Sequence, residues 1–293
     1  MKNLLLAVAL LFATSMMFAQ GFRSEGPEGP NGCDGCSIDQ LSRDGAYYGF
    51  DNLSYITQND DHNYANITQE GFGNFSDITQ GEHEVAIIKQ TGSWNYHLQI
   101  DEGHHNSIFV TQYGVGNYAK QVVTGDESDH NEAKVEQTGF KNMSFQEQKG
   151  DHNEAKVEQT NNSFWGLFFD NGNYAEQYQD GDHNKAIIKQ EGQDNAAKQK
   201  QLGDDNFALA VQKGEDNISV QEQYGNSSYF ENRSKTIQIG EDNTACVYQT
   251  TVAATRLGWF GIPGSMGDNY SKVLQLGDDN TAIVHQTNSL FAH

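Results

Sequence analysis

The chain has 293 residues, with 18 basic and 40 acidic side chains, a formal charge of −22, 36% hydrophobic residues, 30 Gly and 3 Pro. So acidic a chain offers no basic face for phosphates, which argues against nucleic acid as a partner. Hydrophobic content this low also argues against one thick apolar core, so order has to come from pattern.

Residues 1–19, MKNLLLAVALLFATSMMFA, have the layout of a secretory signal peptide: a lysine, an apolar run, then small or apolar residues up to Ala19. No later stretch reaches the ~20 apolar residues that span a bilayer, and no Cys follows the expected cleavage site to carry a lipid. Residues 20–48 read as a flexible leader. It holds Cys33 and Cys36 in the stretch SEGPEGPNGCDGC, either a local disulfide or a free pair; a lone CxxC in Gly- and Pro-rich surroundings is a weak metal or redox motif. Cys246 has no partner by sequence.

From residue 49 to 288 an 11-residue unit recurs, N-x-A-x-V-x-Q-x-G-x-x, starting at 52, 63, 74, 84, 95, 106, 117, 131, 142, 153, 173, 184, 195, 206, 217, 232, 243, 269 and 280, 19 units in all. Asn opens every unit but the one at Glu84. The third position is Ala or Ser except at His97 and Ile108, and the seventh is Gln except at Asp101 and Val123. Conserved and variable positions alternate, the period of two that a strand shows when its side chains point to opposite faces. In Asn153–Gln159 the outward set is Glu154, Lys156 and Glu158, while Asn153, Ala155, Val157 and Gln159 face inward. Gly two residues after Gln supplies the reversal.

The fifth position doubles the period. From Gln99 to Gln221 it alternates between Gln and an apolar residue, so two kinds of strand alternate and one coil is 22 residues. The decapeptide DHNEAKVEQT at 129–138 and again at 151–160 sits one coil from itself. The expected fold is all-β: a two-sheeted β-solenoid of β-arch coils, stacked in parallel and in register ~4.8 Å apart. Each inward residue then lies over its own counterpart. An amide tolerates this because it both donates and accepts, whereas a carboxylate only accepts. The expected ladder includes Asn106, Gln112, Asn131, Gln137, Asn153, Gln159, Asn184, Gln190, Asn206 and Gln212, and Glu84 and Asp101 must borrow donors from neighbouring amides.

Apolar insertions interrupt the pattern at 160–170, with Phe164, Trp165 and Phe168, and at 250–266, with Trp259 and Phe260. Both fall at turns, where an aromatic loop either forms a contact surface or folds back over the sheet. Residues 289–293 are a tail. The residue before the opening Asn or Glu in one of the two turns is His62, His83, His105, His130, His152 and His183 in six consecutive coils. Stacked imidazoles one strand apart bring neighbours near enough to share a transition metal; the plain alternative is a polar turn copied with the repeat.

Units such as "NYAKQVVTGD", "ITQEGFGNFSDITQ" and "LQLGDDNTAIVHQ" resemble the curlin repeat, with Gln, Gly and Asn at fixed spacing, then a small residue and a second Gln. The resemblance covers about residues 49–288. It implies a structural subunit of curli, the extracellular amyloid fibre of the biofilm matrix of diderm bacteria, exported through an outer-membrane machinery and joined by a nucleator subunit. It also implies that residues 20–48 address the export pore. Unpaired strand edges at both ends of a solenoid template the addition of further copies, head to tail, without closure. The main alternative is a surface adhesin or fibre nucleator that does not polymerise. A calcium-binding solenoid requires a nine-residue period, which GDDN at 203–206 and 277–280 does not supply. No nucleophile elbow, P-loop or HExxH motif points to an enzyme, and no motif calls for a cofactor.

Overall fold

Small Ala or Ser at the third inward position and β-branched or amide residues at the fifth give each unit a side that packs closely against a facing sheet. In the computed structural model, which describes residues 37–41, 51–125, 128–161, 172–225, 231–251 and 268–288, each of the nineteen units becomes one strand. The chain runs from β1 (Ser37–Leu41) and β2 (Leu53–Gln58) to β20 (Thr281–Asn288). Alternate strands build two parallel ten-stranded sheets. The odd sheet extends from β1 and β3 (Tyr64–Phe72) to β19 (Asn269–Leu276), and the even sheet from β2 to β20. This is the two-sheeted, in-register parallel solenoid that the spacing predicts.

Register is exact in residue type where the sequence duplicates itself. Glu132, Lys134, Glu136 and Gln137 of β9 (Glu132–Phe140) lie beside Glu154, Lys156, Glu158 and Gln159 of β11 (Glu154–Asn161). Like charges one strand apart repel. Ion pairs along each strand offset this, Lys134–Glu136 and Lys156–Glu158 both at 2.6 Å, together with Lys189–Glu158 at 2.7 Å across coils.

Within the stretch expected as a leader, β1 pairs with β3 so that Ile38 is beside Ile67 and Gln40 beside Gln69. Carried back along the sequence, this register gives Asp34-x-Cys36-x-Ile38-x-Gln40, the repeat with Asp in place of Asn and Cys in place of Ala. Cys33, Asp34 and Cys36 lie outside the described residues. So do the expected signal peptide, the tail, and the loop residues Phe164, Trp165, Phe168, Trp259 and Phe260.

The apolar fifth positions all fall in the odd sheet from Val110 to Ala210. With the facing Ala and Ile residues they form a thin core containing Ala65, Ile67, Ile88, Val135, Val157 and Ile188, all at most 1% exposed. Burying each Ile or Val contributes about 1.5–3 kcal/mol. Most of the described turns place one glycine so close to the next coil that no side chain fits. A Cβ on Gly114, whose φ is 127°, would sit 2.0 Å from the carbonyl oxygen of Gly139. Three residues after the seventh-position Gln's following Gly comes the next Asn. The residue just before it is also left-handed, but its side chain points outward, so His152 (φ 56°), Lys141 (54°) and Asp205 (56°) all occupy this position.

Candidate functional site: amide columns and an outward histidine file

In the odd sheet the seventh-position glutamines form one unbroken column. Nε2 of Gln69, Gln90, Gln112, Gln137, Gln159, Gln190, Gln212 and Gln238 each donates to Oε1 of the next, ending at Gln275, at 2.7–3.0 Å. Each of these side chains also ties the two sheets together, as Gln159 Nε2 does by donating to the carbonyl oxygens of Met143 (3.0 Å) and Asn173 (2.9 Å).

The asparagines that open the even-sheet units run from Asn52 to Asn280, each Nδ2 donating to Oδ1 of the preceding Asn at 2.8–3.2 Å. The two columns therefore run in opposite senses. Glutamine donors point toward the C-terminal end and asparagine donors toward the N-terminal end. In the odd sheet the Asn column is partly carried by backbone: Asn153 N–H donates to Asn131 Oδ1 (2.9 Å) and Asn184 N–H to Asn153 Oδ1 (3.0 Å), while Nδ2 of Asn153 and of Asn184 donate to Gly181 and Gly203 carbonyls at 2.7 Å. Asn131 Nδ2 reaches Asn106 Oδ1 at 3.1 Å and Asn206 Nδ2 reaches Asn184 Oδ1 at 2.9 Å. All ten ladder residues named from the sequence are buried. Since each buried amide left unpaired costs about 1–3 kcal/mol, continuity of these columns decides whether they stabilise.

One coil breaks the pattern. Glu84, His97 and Asp101 replace an Asn, a small residue and a Gln, and all three are at most 1% exposed. Asn106 supplies the donors, its N–H to Glu84 (3.0 Å) and its Nδ2 to Glu84 (3.3 Å) and to Asp101 (3.0 Å). Burial pushes the Glu84 carboxyl up to about 10, reinforced by its hydrogen bond to Asp101 and that carboxylate's charge, so Glu84 keeps its proton and donates a hydrogen bond to Asp101. Burial raises Asp101 too, held back by the bonds it accepts from Glu84 and Asn106. His97 is driven down to about 3 by burial and is neutral, with Ser76 Oγ 3.1 Å from Nδ1. Gln99 in the same strand has neither amide atom paired.

The next coil repairs a second break with volume. Val123 stands among the seventh-position glutamines of the even sheet and packs with Ile108 and Ala133. Ile108 occupies a third position that is Ala or Ser elsewhere in the odd sheet, and the repeat alignment gave no reason to couple it to Val123. The cost is Gln148 Oε1, which has no donor where Val123 adjoins it.

Outside, His62, His83, His105, His130, His152 and His183 form one continuous stack with ring centroids 4.6–5.1 Å apart and interplanar angles of 5–19°. The outer face of the even sheet carries an aromatic file that sequence reasoning missed. Phe75–Tyr96 (4.7 Å) and Tyr96–Tyr118 (5.1 Å) are stacked, and the file continues tilted through Phe145 to Tyr174. Its signal was an aromatic residue directly after Asn74, Asn95, Asn117 and Asn173; in the coil between, where Met143 follows Asn142, Phe145 fills the gap. Beside it, Lys120, Phe145, Glu147 and Tyr178 border a shallow groove of about 310 Å³. Cys246 carries a free thiol.

Among the described residues, no three His, Cys, Asp or Glu side chains already converge as a metal site, and no helix is long and apolar enough to cross a membrane. No curated protein and no solved structure matches the chain. Residues 128–160, which span the duplicated decapeptide, match the family model of the curlin associated repeat. That match identifies the segment as a curlin repeat, and the same 11-residue register continues on both sides of it.

Proposed function

We propose that this protein is a structural subunit of an extracellular, curli-like amyloid fibre that grows by end-to-end stacking of copies. The observation that carries the reading is the state of the two ends. In β20 the backbone and side chains are half-buried or exposed from Thr281 to Asn288, although Asn280 and Gln286 continue the interior columns by bonding to Asn243 (2.8 Å) and Gln249 (2.7 Å). β2 is uncovered in the same way at the other end of the even sheet. An amide column that stops at an uncovered strand is the surface on which the next copy completes the same hydrogen bonds, and the resulting contact is head to tail.

The curlin-repeat match supports a structural role and an extracellular curli setting. By the same reading the chain leaves the cell through a curli-type outer-membrane export machinery, addressed by the segment between the signal peptide and the first full unit. Seeded growth followed by thioflavin fluorescence, with a meridional reflection at about 4.8 Å from aligned fibres, is the expected result. Protein that stays monomeric for days at high concentration removes the polymerising role. If such protein still seeds another subunit, the nucleator reading replaces it.

A further inference from the structure

The six histidines of the outward file are unusual for how faithfully they persist. The exposed position two residues on reads Tyr64, Val85, Ser107, Glu132, Glu154 and Lys185 in the same six coils, so outward side chains drift freely while the histidine does not. Backbone geometry does not explain it. The left-handed conformation here is accepted by Asp205 in the following coil, and by Trp94, Lys141 and Asp194 in the opposite turns. Nor does duplication, since only His130 and His152 lie in the repeated decapeptide. Six of the chain's 10 histidines stand in this one line, and the stack passes the insertion between His152 and His183 unbroken, at 5.0 Å.

We propose that this file is a binding rail for divalent transition-metal ions of the zinc, nickel and copper class, each ion held between two successive imidazoles. Equivalent nitrogens of parallel rings 4.6–5.1 Å apart stand wider than the roughly 3.3 Å that separates two nitrogens on a tetrahedral zinc with arms of about 2.0–2.1 Å. Imidazole lone pairs lie in the ring plane, so sharing an ion also requires the two rings to turn out of their parallel stack until those lone pairs converge, a rotation about χ2, whose wells are broad. The rings stand at the surface, all but the half-buried His83 being exposed, which leaves room for that rotation. Neutral imidazole suits these metals better than calcium or magnesium.

Acidic side chains line the rail and complete the charge balance. Glu82 lies 3.3 Å from His83 Nδ1 and 3.6 Å from His104 Nδ1. Asp151 and Asp182 sit in the same turns, each with a carboxylate oxygen accepting a backbone N–H from the preceding coil at 2.9 Å and the other oxygen outside that bond. Six rings taken in pairs give about three ions per chain, with water and these carboxylates filling the remaining positions. The rail belongs to the folded coil and does not depend on fibre formation.

The test is calorimetric titration of the untagged, soluble chain with zinc chloride at neutral pH. Copper(II) added to the same protein allows the bound nitrogens to be counted by electron paramagnetic resonance. The expected result is about three zinc ions per chain. H152N/H183N, chosen because Asn adopts the left-handed conformation readily, should lose about one third of the bound zinc. H62N/H83N, at the far end of the file, should lose the same share should the first variant fold poorly. Copper should show two equatorial nitrogens. No zinc uptake, an unchanged stoichiometry in both folded double variants, or copper spectra with a single nitrogen would overturn the proposal.

Discussion

Exchanging an amide and a carboxylate at two adjacent residues isolates what the interior columns contribute. Gln159, 1% exposed, donates through Nε2 to three oxygens, those of Met143 (3.0 Å), Asn173 (2.9 Å) and Gln190 (2.8 Å), and accepts from Gln137 (2.8 Å). Gln159→Glu keeps the shape and the acceptor but turns all three donated bonds into oxygen–oxygen contacts. Since the same interior keeps Glu84 protonated, the new carboxyl should also hold its proton at neutral pH and recover one donor. Two lost bonds, each worth about 0.5–1.5 kcal/mol and leaving crowded acceptors, put the cost at about 2–3 kcal/mol near pH 4, where the carboxyl is protonated in the unfolded chain as well. A raised carboxyl pKa means a contribution lost as pH rises, so the deficit should grow from there by up to about 1.4 kcal/mol per unit and exceed that figure at neutral pH. Glu158→Gln, one residue back and facing water, removes the contacts with Lys156 (2.6 Å) and Lys189 (2.7 Å) and should cost less than about 1 kcal/mol. Urea unfolding of the soluble chain, followed by far-ultraviolet circular dichroism, compares the two. Equal costs, or a greater loss at 158 than at 159, would refute the claim that buried amide continuity holds the fold.

The broken coil should set the pH limits of stability. His97 is lowered to about 3 from 6.5, so the unfolded chain binds a proton the folded chain does not, and stability falls by about 1.4 kcal/mol per unit as pH drops through that window. Glu84 is raised from 4.5 to about 10, so its contribution runs the other way, falling as pH rises. His97→Ala, which restores the small residue of the repeat, should flatten the acid side of a plot of Tm against pH, and Glu84→Asn the alkaline side; unchanged profiles would show that these groups do not control them. Val123→Gln should destabilise by about 1–3 kcal/mol through overpacking against Ile108. Adding Ile108→Ala should recover most of that by readmitting Gln148 to a column, and a double-mutant cycle in denaturant would show the coupling as non-additive.

Much of this architecture was legible because it is written in a single period. Asn153 and Gln159 sit where alternation puts them, and the stacking of Glu132–Gln137 on Glu154–Gln159 follows from a duplicate exactly one coil away. The histidine file was legible for the same reason. What escaped was correlation across the period. Ile108 reads as noise in its own column and Val123 as noise in another; only the closeness of facing sheets shows that one fills the space of the other. The strand Ser37–Leu41 escaped because Asp34 and Cys36 stand where the unit is recognised by Asn and Ala, while Ile38 and Gln40, the positions that match the repeat, are too few to detect unaided. The aromatic file was missed because outward positions were read for charge and not for ring stacking.

The opposed senses of the glutamine and asparagine columns bear on how long such a rod can grow. A helix adds aligned peptide dipoles turn by turn and accumulates opposite partial charges at its tips. Here each coil adds glutamine side chains of both sheets whose donors point forward and asparagine side chains whose donors point backward, so their moments offset only in part. The tips differ in which groups they present, donors or acceptors, and each addition restores the same pair of faces. An arriving copy bonds only to the outermost layer, whose groups are the same at every length, so growth keeps one polarity from the first layer to the last.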